Sequence, residues 1–190
     1  MVITKTMNIF ILNSGRCGST AFISACQHIT NYSASHESRV NLIGEQRLAY
    51  PENHIEADNR LCWFLGRLDQ KYGDRGFYIH LTRDLDKTVD SFVKREHLDN
   101  GIMKAYKEGV LLGGKEDQSA HDIALDYLDT VDKNIMHFLK EKTNKMDFSL
   151  ESAKADFNVF WEKTGAEGNL ENALKEWDVI HNASVPELGA

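Results

Sequence analysis

Cysteine is scarce in this chain and none of it is paired by spacing. Cys17, Cys26 and Cys62 are the only three among 190 residues, and they lack the close doublets that hold structural zinc. A reduced cytoplasmic protein is the expected setting. Long hydrophobic runs are missing too: nothing approaches the length of a membrane span, and the amino terminus lacks the apolar region of a secretory signal. No membrane insertion is therefore expected. Positive charge is in deficit, with 22 Lys and Arg against 29 Asp and Glu and a formal charge of −7. Nucleic acid is thus not an expected partner, although a local basic pocket can still hold an anion. Internal repeats and low-complexity segments are absent as well. With 42% of its residues hydrophobic, the chain is sized for one core, and residues 1–190 are expected to form a single compact domain.

What is present begins with an apolar run at residues 7–12 that leads directly into Asn13-Ser14-Gly15-Arg16-Cys17-Gly18-Ser19-Thr20. A buried strand would deliver this loop to the carboxyl edge of a sheet. There its backbone N–H groups, with the amino end of the next helix, can surround phosphate-like oxygens. Gly15 and Gly18 permit the tight turns, Ser19 and Thr20 offer hydroxyls, and Arg16 offers a planar positive fork. A nucleoside triphosphate loop would carry a lysine reaching the β and γ phosphates. Here Ser19 stands in that lysine's place and Asn13 in place of the first glycine. The plainer alternative is a polar strand-to-helix turn with an ordinary cap.

Periodicity predicts strands over 6–12, 76–81 and 146–150, and helices over 19–28, 61–68, 85–96, 119–142 and 170–177, with a further helix beginning around Phe157, Phe160 and Trp161. Strands alternating with helices predict an α/β fold. His54 and Asp58 read as a polar pair one helical turn apart, ahead of the packed 61–68 helix. Trp161 and Trp177 read mainly as packing residues.

Two further groups bear on anion chemistry. In His36-Glu37-Ser38-Arg39, Glu37 can accept a proton from a hydroxyl or amine, His36 is a second possible base, and Arg39 can orient a substrate or balance charge. A solvated Glu/Arg network beside a strand is the alternative. In Leu81-Thr82-Arg83-Asp84, followed by Ser91 on the next helix, a guanidinium leaving a strand and a helix-borne hydroxyl can share one phosphate.

Together these residues resemble the PAPS-dependent sulfotransferase family, whose donor is 3′-phosphoadenosine 5′-phosphosulfate. Gly15, Arg16, Cys17, Gly18, Ser19 and Thr20 resemble its loop for the 5′-phosphosulfate. The run from Leu81 through Arg83 to Ser91 resembles its 3′-phosphate motif, and His36-Glu37-Ser38-Arg39 is similar to the Glu-Glu-Thr-Arg segment of tyrosylprotein sulfotransferases. Asp84-Leu85 departs from the family's usual proline-containing continuation.

The resemblance implies a three-layer α/β fold with a central, mainly parallel sheet of P-loop-like sulfotransferase architecture. It implies PAPS as sulfuryl donor, PAP as product and no metal, with transfer to a hydroxyl or amine. Arg16 would act at the sulfuryl group, Glu37 (or His36) as base, Arg39 beside the substrate, and Arg83 and Ser91 on the 3′-phosphate. Residues 157–184, with the loop from Gly165 to Gly168, are expected to cover the nucleotide. The acceptor, whether small molecule, carbohydrate, lipid or peptide, stays open, and a homodimer is possible. Two other readings stay open: a noncatalytic nucleotide-binding or interaction domain on the same fold, and a metal-dependent nucleoside triphosphatase.

Overall fold

A computed structural model describes residues 6–98 and 101–179 of the chain. Five parallel strands form one sheet: β1 (Ile9–Leu12), β2 (Ser33–His36), β3 (His54–Ala57), β4 (Phe77–Thr82) and β5 (Lys145–Ser149), in the order β2-β3-β1-β4-β5. The principal helices are α1 (Ser19–Cys26), α2 (Leu65–Tyr72), α3 (Leu85–Val93), α4 (Ile102–Ala105), α5 (Ala120–Leu139), α6 (Ala153–Thr164) and α7 (Leu170–Lys175). The result is a three-layer α/β fold.

All four residues of β1 are buried because helices cover both faces of the sheet. Alternation divides them. Ile9 and Ile11 join Ile55, Ile79 and Phe148 on the face packed by α1, α6 and α7. Phe10 and Leu12 join Tyr78 on the face packed by α2, α3 and α5. On the first face Phe22 of α1 meets Phe148, Phe160 and Trp177 at ring separations of 4.8, 5.2 and 5.8 Å. Edge-to-face pairs of this kind add about 0.5–1.5 kcal/mol each beyond area burial, and Trp177 is thereby an anchor of the layer. On the second face α5 starts at a reciprocal cap, in which Ser119 Oγ accepts from the Asp122 N–H and the Asp122 carboxylate accepts from the Ser119 N–H.

The strands predicted at the ends of apolar runs appear within a few residues of their expected bounds, but two regions differ. His54 is not in a helical pair with Asp58: it opens β3, and Asp58 follows the strand's end. The helix expected over 61–68 is broken. Asp58 Oδ1 accepts from the Arg60 N–H at 2.8 Å and caps a 3-10 turn at Asn59–Trp63, so the α-helix begins only at Leu65.

Connectivity opens a crevice. From β1 the chain runs through α1 towards β2 and β3, whereas β4 and β5 lie on the other side of β1. Right-handed crossovers in opposite directions send α1 and α3 to opposite faces, as the two core layers record. The loops after β1 and β4 therefore part at the carboxyl edge, the place where open α/β sheets receive ligands.

Candidate anion-binding site

Asn13, fully buried at the end of β1, shapes the loop from within. Its Nδ2 donates to the Ile11 carbonyl at 3.0 Å, and its Oδ1 accepts from the Gly15 N–H at 2.9 Å and from Cys17 Sγ at 3.5 Å. Tyr127 of α5 donates its hydroxyl to the Ser14 carbonyl at 2.7 Å. The backbone passes through positive φ at Gly15 (92°), Arg16 (61°) and Gly18 (93°). Gly18 is doubly constrained, since a Cβ there would stand 2.6 Å from Leu150 Cδ1. Helix α1 starts immediately afterwards with no side-chain cap, so its first amides face the loop's concavity.

The residues read from three separate sequence segments converge here. Arg16 Nε donates to Ser91 Oγ at 2.9 Å, and Arg83 Nη1 donates to the Arg16 carbonyl at 3.1 Å. Burial first, then the charges of Arg95 and Arg83, push the Arg16 guanidinium below its ordinary value. A guanidinium stays protonated regardless, so three arginines, Arg16, Arg83 and Arg95, place positive charge in this part of the crevice. A neighbouring cavity of about 370 Å³, bordered by Ser14, Arg83, Thr88 and Leu128, also carries the carboxylates of Asp129 and Asp132. Those carboxylates disfavour a phosphate inside it.

The third segment meets the loop from β2. His36, the last residue of that strand, has Nε2 at 3.0 Å from Ser19 Oγ, while the Glu37 carboxylate pairs with Arg60 Nη1 at 3.1 Å. Arg39 points elsewhere: Nη1 donates to the Gln46 carbonyl at 2.9 Å and its guanidinium lies 5.6 Å from the Tyr50 ring centre. The cation beside Glu37 is thus Arg60, which sequence reasoning passed over. So was Asn59, whose Nδ2 limits the space at Gly15 to 3.0 Å from an added Cβ. Polar residues at a strand's carboxyl end were the available signal, hidden because β3 itself was unread.

The late glycine loop lies at the other end of α1. Glu167 O accepts from the Thr30 N–H at 2.7 Å, His28 O accepts from the Asn169 N–H at 3.0 Å, and Gly168 bridges Ile29. Eight residues of helix, roughly 12 Å, separate it from the anion loop. Leu150, not Gly165 to Gly168, is the late residue that meets the loop at Gly18. Residues 180–184 of the expected cover lie outside the described residues.

No family model matches the chain, and no curated protein sequence matches it. Solved structures do share its fold. One is the sulfotransferase domain from the curacin biosynthetic pathway, with a TM-score of 0.60 and 14% identity over 87% of this chain and 75% of that one. Another is mouse sulfotransferase SULT7A1 complexed with PAP, with a TM-score of 0.54 and 16% identity over 90% of this chain. This chain spans 63% of that mouse protein's length. The fold is therefore sulfotransferase-like, at the level of overall architecture. No helix among the described residues is long and apolar enough to cross a membrane.

Proposed function

We propose that this protein is a PAPS-dependent sulfotransferase acting on a hydroxyl or amine acceptor. The observation that carries the reading is the meeting of Arg16, Ser91 and Arg83 in the crevice between the loops after β1 and β4. Two guanidiniums and a hydroxyl from separate elements suit a ligand with separate anionic groups, such as a nucleotide with 5′ and 3′ substituents.

Bound PAPS would supply the sulfuryl group. Arg16, Ser19, Thr20 and the first amides of α1 would hold its 5′ end, and Arg83 with Ser91 the 3′-phosphate. Arg16 then stabilises the negative charge that builds as the sulfuryl group departs, and its fixed position makes that stabilisation available without reorganisation. The arginines supply positive charge in the role that magnesium and a lysine fill in nucleoside triphosphatases. The acceptor's proton goes to the turn bearing His36 and Glu37. His36 is hydrogen-bonded to the loop through Ser19, and Glu37 is oriented by Arg60. Arg39, half-buried against Tyr50, would contact the acceptor only from the rim of the turn.

Calorimetric titration with adenosine 3′,5′-bisphosphate, with ATP in the presence and absence of magnesium as comparison, tests the donor site. Metal-independent preference for the bisphosphate is expected. Tight magnesium-dependent ATP binding with none of the bisphosphate would overturn the reading. Rates of PAP release from PAPS with Glu37→Gln and His36→Gln assign the base to the variant that loses turnover while retaining bisphosphate affinity.

A further inference from the structure

Behind the His36 and Glu37 turn runs a buried chain of polar groups that the transfer chemistry leaves unused. Glu56, in the middle of β3, has no exposure at all. A buried carboxylate is costly unless its lone pairs are met, and here they are. Oε1 accepts from the Ser38 N–H at 2.7 Å, Oε2 accepts from the Ser38 hydroxyl at 2.6 Å, and Oε2 lies 3.0 Å from His54 Nε2. With Glu56 as carboxylate, which only accepts, the donor in this bond is His54 Nε2–H. The His54 ring is fixed in turn, with Nδ1 2.8 Å from Ser33 Oγ and its face stacked on Tyr50 at 5.5 Å.

Two of the three bonds to Glu56 end on Ser38, the residue after Glu37. Glu37 has φ of 50°, a left-handed conformation that costs an L residue about 1–2 kcal/mol and so needs external support. The Glu37 N–H donates to the Ala57 carbonyl at 3.0 Å. That bond fixes the peptide entering Glu37; Glu56 fixes the peptide leaving it. Between them they set where the Glu37 side chain projects and hold the end of β2 that carries His36.

We propose that Glu56, braced by His54, is a positioning residue for the transfer reaction, holding the His36 and Glu37 turn in the conformation that presents its proton acceptors to the anion loop. This rests on the sulfuryl-transfer reading. The hydrogen bonds of Glu56 run to Ser38 and His54, so it acts through the turn and not on the substrate.

Glu56→Gln keeps the volume but puts an NH2 donor where Oε2 meets Ser38 Oγ and His54 Nε2, so both bonds must reverse, with a change of His54 tautomer, or be lost. Ser38→Ala, at an exposed residue, removes one bond and leaves the buried pair, so it carries the test if Glu56→Gln does not fold. The assay is PAP release from PAPS with a series of phenols, from weakly acidic to one already ionised at the assay pH. With the weakly acidic phenol, kcat should fall about tenfold in Glu56→Gln and about threefold in Ser38→Ala, a fraction of the effect of a whole general base. KM for PAPS and affinity for the bisphosphate should stay within about twofold. The loss should vanish for the ionised phenol, which has no proton to give. Equal loss across the series, or no loss in either variant, would overturn the inference while leaving sulfuryl transfer standing. Amide exchange at Ser38 separates the two further. It should quicken in Glu56→Gln, and unchanged exchange would overturn the brace. Quickened exchange in a protein whose unmodified form neither binds the bisphosphate nor releases PAP from PAPS with any phenol, alcohol or amine would instead overturn the transfer reading, and this role with it.

Discussion

The glycine loop after β1 and the His36 and Glu37 turn after β2 sit on one sheet edge, yet they are held by different means. The loop is shaped mainly by neutral groups, the Asn13 amide, the Tyr127 hydroxyl and backbone at positive φ, with the Arg83 guanidinium donating to the Arg16 carbonyl. The turn and its neighbour after β3 are shaped by buried charge. Glu56 lies against His54, and Arg47, 2% exposed, pairs with a fully buried Asp58 at 2.5 Å. On the loop side the arginine bonds run to a carbonyl and a hydroxyl, not to a carboxylate, so an anion proposed to bind there would not have to displace an ion pair that these bonds form. On the turn side the buried carboxylates of Glu56 and Asp58 are each met by polar partners, which hold the segment rigid at a desolvation cost.

The sharpest way to break this contrast is Asp58→Ala, which leaves the Arg47 guanidinium buried without the Asp58 carboxylate, against the Tyr50 hydroxyl and the Phe64 ring. Urea denaturation should register a stability loss of about 3–5 kcal/mol. A loss below about 1 kcal/mol would mean that buried charge does not hold this side of the sheet. Arg16→Ala should do the reverse. Turnover should fall by about 10²–10³, equivalent to roughly 3–4 kcal/mol of transition-state stabilisation, while stability shifts by less than about 1 kcal/mol. Comparable damage to folding would show that the loop relies on its cation after all.

Gly18→Ala is a smaller perturbation. Its φ of 93° and the nearby Leu150 oppose any Cβ, and the strain amounts to about 1–2 kcal/mol. The expected outcome is weakened bisphosphate binding by titration with the overall fold retained; unchanged affinity would separate the loop from the ligand.

The subtlest comparison uses one thiol from each region. Burial pushes Cys17, under the loop, and Cys62, in the turn after β3, each up to about 12 from 9.0. The folded state therefore holds these protons more tightly than the unfolded chain. The associated stability is fully present below pH 9 and is lost as pH rises towards about 12, which denaturation midpoints across that window would record. Alkylation at pH 8 should be slow for both thiols. Cys17 should react the faster, because a loop held largely by neutral bonds opens locally more readily than a segment tied to the buried Arg47–Asp58 pair. Equal rates would remove the distinction.

Much of the loop side was legible in the chain itself. Ile9 to Leu12 and Phe77 to Leu81 are apolar runs, and the spacing of Val89 and Phe92, or of Tyr127, Val131 and Ile135, marks helical faces. The β2 and β3 side was not. Ser33–His36 reads Ser-Ala-Ser-His and His54–Ala57 reads His-Ile-Glu-Ala, short segments with no apolar run. They are strands because β1 offers an unpaired edge, and because Glu56 and His54 become tolerable in the interior once each has the other.

The sequence by itself determined the α/β class and the strand-to-helix loop with its glycines and hydroxyls, and it offered Arg16, Arg83 and Ser91 as candidate anion contacts, since backbone freedom and residue chemistry are local properties. Only the tertiary structure decided that Arg16 would meet Ser91, that Arg60 and not Arg39 would face Glu37, and that Glu56 would sit beneath Ser38. Those contacts join segments far apart in the chain, and their energies depend on burial and on partners that exist only once the sheet has formed.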